Sequence, residues 1–219
     1  MLGEWGSCEL RLIDLARGVE VEGAVAGHTG PVNFLTVSPD GRYLAAGSGS
    51  GWSPVIRLWD LTSEKPIREL AGHTGGLTSL VWSPDGKRLA SASGQDESIR
   101  LWNPQTGRCL HTLSLKEFSW PVVAFSPGGK HLAVTGFKHD KGTSVGLLGV
   151  WDIGSMKQTY RTETLHCPVG MAFLDDVTLV QVPEPGVLLL LGLVGILVAA
   201  RRFSRRFAAQ RPVGTSAAS

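Results

Sequence analysis

His28 and His73 stand in identical surroundings, each inside a Gly-His-Thr-Gly tetrapeptide. An imidazole could serve as a metal ligand or a general base. The Gly-His setting favours a structural hydrogen bond instead, because a buried polar ring needs partners. Asp40 and Asp85 follow Ser-Pro and precede Gly, which makes them turn residues. The stretch GSGSG at residues 47–51 has the glycines of a phosphate loop but lacks the Lys-Ser/Thr and the helix that such a loop requires. It also fails the spacing of a nucleophile elbow, Gly-x-Ser-x-Gly. The charged stretches KHDKG (138–142) and DESIR (96–100) hold no assembled nucleophile, base and orienting group. Cys8, Cys109 and Cys167 are odd in number, and no CxxC pair exists. Neither a zinc site nor a disulfide framework is indicated, and buried free thiols are expected. No catalytic, cofactor-binding or metal residue is assigned, and the expectation is a protein that is not an enzyme.

The elements that carry these residues come from an internal repeat. SPDG occupies residues 38–41 and 83–86, and SPGG occupies 126–129, at offsets of 45 and 43. GHTG recurs at an offset of 45, and Arg-Leu-Trp ends at Trp59 and again at Trp102. Val150-Trp151-Asp152 supplies a third tryptophan. Apolar segments such as VNFLTVS and LTSLVWS enter a turn of type I chemistry, with Pro second and Gly fourth. YLAAGS and RLASAS follow as small-residue strands. VIRLWDL and SIRLWN alternate apolar and polar with period 2, and PIREL and CLHTL supply a fourth strand. Each unit is therefore a four-stranded antiparallel sheet of about 45 residues.

These residues resemble the WD-repeat family of β-propellers over roughly residues 9–181. The resemblance implies an all-β propeller and a hydrogen-bonded tetrad of His, Ser or Thr, Asp and Trp in each repeat. In the second full repeat the matching residues are His73, Ser91, Asp96 and Trp102, with Ser93 as an alternative to Ser91. The first keeps His28 and Trp59 but has Ser53 where the Asp would fall. The third keeps Trp151 and Asp152 without the Gly-His or the turn Asp. The outer blades are therefore expected to be less rigid than the second.

Strand counting gives three full blades and two half-blades. LRLID aligns with IRLWD as a third strand, and VEVEGAVAGH gives a fourth. HCPVGMAFLDDVTLVQ gives a first and second strand at the other end. A closed ring of four blade equivalents and a partial propeller with open sheet edges are both compatible with this count. Open edges would allow self-association. Recognition is expected from loops on a rigid scaffold, with insertions at 48–54 and 137–145 as candidates.

The chain then changes character. The overall charge of +2 splits into a net −3 over residues 1–184 and five arginines with no acid beyond them. An acidic repeat region is a poor nucleic-acid footprint, so no nucleic-acid partner is expected. Residues 186–200 are uncharged and rich in Leu, Val and Gly. As a helix they would span about 22 Å against a hydrocarbon core of about 30 Å, short unless arginines snorkel to phosphates. Arg201, Arg202, Arg205 and Arg206 follow at once. A single-pass transmembrane helix is the expectation. The division is residues 1–181 for the repeats, 182–206 for the apolar segment with its flanks, and 207–219 for a short tail.

This segment resembles a PEP-CTERM tail on Pro183, Glu184, Pro185, the run 186–200, Arg201 and Arg202. The resemblance implies recognition by a membrane-embedded exosortase in a bacterium that makes exopolysaccharide, and delivery to the cell envelope or matrix. Members of that family usually carry a signal peptide, and MLGEWGSCELRLIDL does not read as one. Arginines retained inside would place the repeats outside. The readings left open are a chain missing its true N-terminus and a tail-anchored protein facing the cytoplasm. The leading functional expectation is a non-catalytic protein-interaction scaffold at the envelope. The alternative is the C-terminal part of a larger enzyme, such as a signalling kinase.

Overall fold

The computed structural model describes residues 10, 12–15, 18–21, 32–48, 54–63, 65–140, 143–164 and 168–183. Every regular element among them is a β-strand, and every ladder is antiparallel. The first full sheet runs β3 (Phe34–Val37), β4 (Tyr43–Gly47), β5 (Ile56–Asp60) and β6 (Lys65–Leu70). The second runs β7 (Ser79–Trp82), β8 (Leu89–Ser93), β9 (Ser98–Trp102) and β10 (Cys109–Ser114). The third runs β11 (Ser119–Phe125), β12 (His131–Asp140), β13 (Thr143–Asp152) and β14 (Lys157–Thr164). Each is a simple meander, consistent with a propeller blade.

The Ser-Pro-x-Gly turns fold locally for a readable reason. The N–H groups of Gly41, Gly86 and Gly129 donate to the carbonyls of Ser38, Ser83 and Ser126 at 2.8, 2.9 and 2.8 Å. These glycines sit at φ of +73°, +67° and +68°, where a side chain would be strained. The serine hydroxyls are buried and accept an N–H at or just before the start of the next strand: Tyr43 at 2.8 Å, Arg88 at 2.9 Å and His131 at 3.1 Å.

Successive first strands pack on one another: β3 on β7, β7 on β11, and β11 on β15 (Pro168–Phe173). One apolar cluster joins the first two full sheets through Ile56, Leu58, Leu77, Trp82, Leu89 and Trp102. Another joins the second and third through Ile99, Leu101, Phe118, Leu132, Leu147 and Trp151. The second sheet is thus covered on both faces, and every residue of β8, Leu-Ala-Ser-Ala-Ser, is buried. Small side chains suit a strand with neighbours above and below. The fourth strands β6, β10 and β14 are mostly exposed.

Two shorter sheets flank these. β1 (Leu12–Asp14) pairs with β2 (Val19–Val21), and β15 pairs with β16 (Leu179–Pro183). They are separate two-stranded sheets, so among the described residues no ladder between β16 and β1 closes a four-blade ring.

Two sequence expectations need correction. The insertion at 137–145 is not a loop over most of its length. β12 and β13 extend into a long hairpin that pairs Lys138 with Val145, His139 with Ser144 and Asp140 with Thr143. Cys109 is exposed rather than buried, because it lies on the outer strand β10. Cys8 and Cys167 lie outside the described residues, as do 49–53 and 184–219. Among the described residues no helix is long and apolar enough to cross a membrane. The run 186–200, Glu184, Pro185, Arg201 and Arg202 lie beyond them, and Pro183 ends β16.

Candidate functional site

The second sheet holds a continuous polar strut. His73 precedes β7, Ser91 lies mid-β8, Asp96 sits in the β8–β9 turn and Trp102 ends β9. Trp102 Nε1–H donates to Ser91 Oγ at 2.8 Å. Ser91 Oγ lies 2.7 Å from His73 Nε2, and His73 Nδ1 lies 2.6 Å from Asp96 Oδ2. Indole can only donate and carboxylate can only accept, so His73 Nδ1–H donates to Asp96. Burial favours the neutral imidazole, whose Nε2 is then the acceptor for the Ser91 hydroxyl.

Electrostatics agree with that assignment. Burial pushes the His73 imidazole below its ordinary value, against the upward pull of Asp96. Burial pushes the Asp96 carboxyl up, but donors from Ser98 and His73 outweigh it and leave the group below its usual range. Asp96 also accepts the Thr74 N–H at 3.0 Å and the Ser98 N–H at 3.1 Å, so one carboxylate ties together the loop before β7 and the β8–β9 turn. Ser93, the alternative to Ser91, is outside this chain. Its hydroxyl accepts only a long contact of 3.4 Å from Asp96 N–H.

Strand register shows why the other full sheets differ. Leu89 pairs with Trp102 and Ser91 sits two residues further along β8. In the first sheet Leu44 pairs with Trp59, which puts Ala46 at the Ser91 position. In the third, Leu132 pairs with Trp151, which puts Val134 there. Neither carries a hydroxyl. Trp59 is fully buried, and Trp151 packs edge-on to Phe118 at 6.2 Å. Asp152 instead accepts the Ser155 N–H and hydroxyl, both at 2.7 Å, and closes the turn after β13. His28 and Ser53 lie outside the described residues.

Two concavities lie at the borders of the second sheet. A cleft of about 660 Å³ opens between the first and second sheets on the side of the SPDG turns. Tyr43, Ile67, Pro39, Pro84 and Pro104 give it apolar walls, and Asp40, Asp85, Arg68 and Lys87 add charge. Its two turn aspartates are internally engaged. Asp40 takes the Ser38 hydroxyl and the Arg42 N–H, and Asp85 takes the Ser83 hydroxyl and the Lys87 N–H. The third turn has Gly128 at this position and borrows a carboxylate. Asp176, from the β15–β16 turn, accepts the Gly128 N–H at 2.7 Å, and the Ser126 hydroxyl holds it below its ordinary value.

The second concavity is a groove of about 180 Å³ at the other end of the strands, between the second and third sheets. Gly76, Thr78, Gly94, Gln95, Ser119 and Trp120 line it. Trp120 has φ of +50°, a left-handed conformation that costs a bulky residue about 1–3 kcal/mol. Its register neighbours explain how. Ser119 pairs with Phe137 and Val122 with Thr135, so one extra residue bulges from β11. Nothing in the repeat pattern signalled this residue; the Trp-Pro dipeptide was its only trace. Among the described residues no group of three or more His, Cys, Asp or Glu side chains could hold a metal ion.

Two stretches of the chain, residues 20–60 and 64–103, match the WD domain, G-beta repeat. Residues 181–206 match the PEP-CTERM protein-sorting motif. No curated protein matches the chain.

Proposed function

Because the chain carries WD repeats and a PEP-CTERM sorting motif, we propose that it is a non-catalytic protein-interaction scaffold displayed at a bacterial cell envelope. The observation that carries the reading is the joining of these two parts. Packed sheets with buried inner strands present concave borders, and the sorting motif begins at residue 181, within the last strand. The cleft beside Tyr43 and Ile67 has the size and mixed lining of a recognition site. Its turn aspartates are engaged in their own turns, so it offers shape, hydrophobic contact and the charge of Lys87 rather than catalytic chemistry. An exosortase recognises Pro183, Glu184 and Pro185, the run 186–200 spans or enters the membrane, and Arg201 and Arg202 stay on the cytoplasmic side. The sheets then face outward.

One experiment tests both halves. A photo-crosslinking amino acid replaces Ile67, which is 41% exposed in the cleft. Cells carrying this chain are compared with cells carrying it together with P183A, E184A and P185A. The expected result is a protein adduct in the envelope fraction that disappears, with altered processing, in the triple variant. Unchanged processing and location would reject the sorting role, and no adduct with any protein would reject the cleft.

A further inference from the structure

The groove at Trp120 is distinct from the cleft at Ile67 and lies at the opposite ends of the strands. Trp120 is 69% exposed, whereas Phe118 two residues earlier is buried. The bulge therefore turns a large aromatic outward in a backbone conformation it does not favour. Two contacts from the second sheet and its approach hold it there. Thr78 Oγ1 donates to the Pro121 carbonyl at 2.6 Å, while Thr78 N–H is anchored on Ala92 at 2.8 Å. Gly94 lies against the Trp120 backbone and the Pro121 ring, where a side chain would press on the Trp120 nitrogen. Gln95 Oε1 accepts the Gly76 N–H at 2.9 Å, which fixes the amide orientation and leaves its NH2 side as a donor at the groove.

The lining selects the ligand. It has no charged side chain, so a charged group has no counterion there. The volume holds one side chain with its flanking backbone, below the range of free small-molecule sites. A sugar ring needs paired donors and acceptors for its hydroxyls. Here the Thr78 proton is directed to the Pro121 carbonyl and the Gln95 carbonyl accepts from Gly76, so the paired donors and acceptors of a sugar site are not laid out. The donors that remain are the Gln95 amide and the Ser119 hydroxyl beside an indole face, which suits a backbone carbonyl next to a flat apolar side chain. Tryptophan on a rigid support is also the residue most enriched among interface anchors. We propose that Trp120 and Gln95 form a second recognition site for an uncharged, extended peptide segment of a partner protein. A proline or aliphatic side chain stacks on the indole and a backbone carbonyl accepts from Gln95. This rests on the protein-interaction reading above.

The test uses the full chain on an array of immobilised uncharged decapeptides of randomised sequence, with a glycan array beside it. W120A should weaken the peptide signals by about tenfold or more, the scale of an anchor residue. Q95L should weaken them severalfold, W120F should retain part, and Y160A on the exposed strand β14 should change nothing. The thermal midpoint of W120A should not fall below that of the parent chain, which separates lost binding from lost structure. Absence of peptide binding, equal binding by W120A, or binding confined to glycans overturns the proposal. A protein adduct at Ile67 with no peptide bound at Trp120 sinks this inference alone; no protein contact at either site sinks the general reading with it.

Discussion

Replacing Ser91 with alanine removes one oxygen from a fully buried position. That atom serves two partners, Trp102 Nε1–H at 2.8 Å and His73 Nε2 at 2.7 Å. Both are enclosed, since Trp102 is 1% exposed and His73 4%. Alanine leaves an orphan donor and an orphan acceptor, each costing about 1–3 kcal/mol. The two groups cannot satisfy one another at the distance a missing hydroxyl leaves, and the void is too small for water. The expected loss is therefore about 3 kcal/mol, well above the ordinary surface substitution. For a chain of this size that is a fall of roughly 6–12 °C in thermal midpoint. Urea unfolding followed by tryptophan fluorescence gives the free energy, and Ser93→Ala is the control. Ser93 is equally buried but accepts only the 3.4 Å contact, so its loss should stay below about 1 kcal/mol. Equal effects of the two substitutions, or a Ser91→Ala loss under about 1 kcal/mol, would refute the assignment of the strut to Ser91.

Acid should weaken the fold through His73, whose folded value is depressed by burial. The unfolded chain then binds more protons below about pH 6.5, so stability is full above that value and falls as pH drops through it. Urea midpoints between pH 8 and pH 5 check this, and a flat profile would mean that His73 titrates equally in both states. Asp176→Ala should lower the thermal midpoint by freeing the Gly128 N–H and the Ser126 hydroxyl. Adding Gly128→Asp to that variant should restore it, because an aspartate there closes its own turn as Asp40 and Asp85 do. The same Gly128→Asp change alone should be harmful, since a side chain at 128 collides with the Asp176 carboxylate.

Repetition made much of this legible. A turn that needs Pro second and Gly fourth leaves the same letters wherever it recurs, so the sheets and their strand order followed from three landmarks. Departures from the repeat were less visible. The loss of the hydroxyl at Ala46 and Val134 follows from the offsets of 45 and 43 alone, and strand pairing agrees, but other departures left no such trace. Asp176 supports a turn 48 residues away, a contact that no local pattern encodes. The 137–145 segment reads as a loop from its Lys, Gly and Ser content, yet cross-strand pairing overrides that preference. Trp120 is the sharpest case. A tryptophan before proline predicts extended backbone, and only the bulge and Gly94 make the left-handed geometry tenable.

The position of the strut connects rigidity to recognition. The matched repeats end at residues 60 and 103, in or just after a third strand, while each sheet continues into a fourth. The first full sheet is thus built from both matched repeats, β3 to β5 from one and β6 from the next, so neither can leave without opening it. The second sheet is the shared wall of both concavities. It lends Pro84, Asp85, Lys87 and Pro104 to the cleft, and Gly76, Thr78, Gly94 and Gln95 to the groove. His73 and Asp96 bind the two loops that floor the groove, with Gly76 and Gln95 adding a further hydrogen bond between the same loops. A recognition surface made of short loops loses less entropy on binding when those loops are already fixed. The complete polar chain sits in the one full sheet that must hold still for both sites. The neighbouring sheets, with Ala46 and Val134 in its place, rely on apolar packing alone at that position.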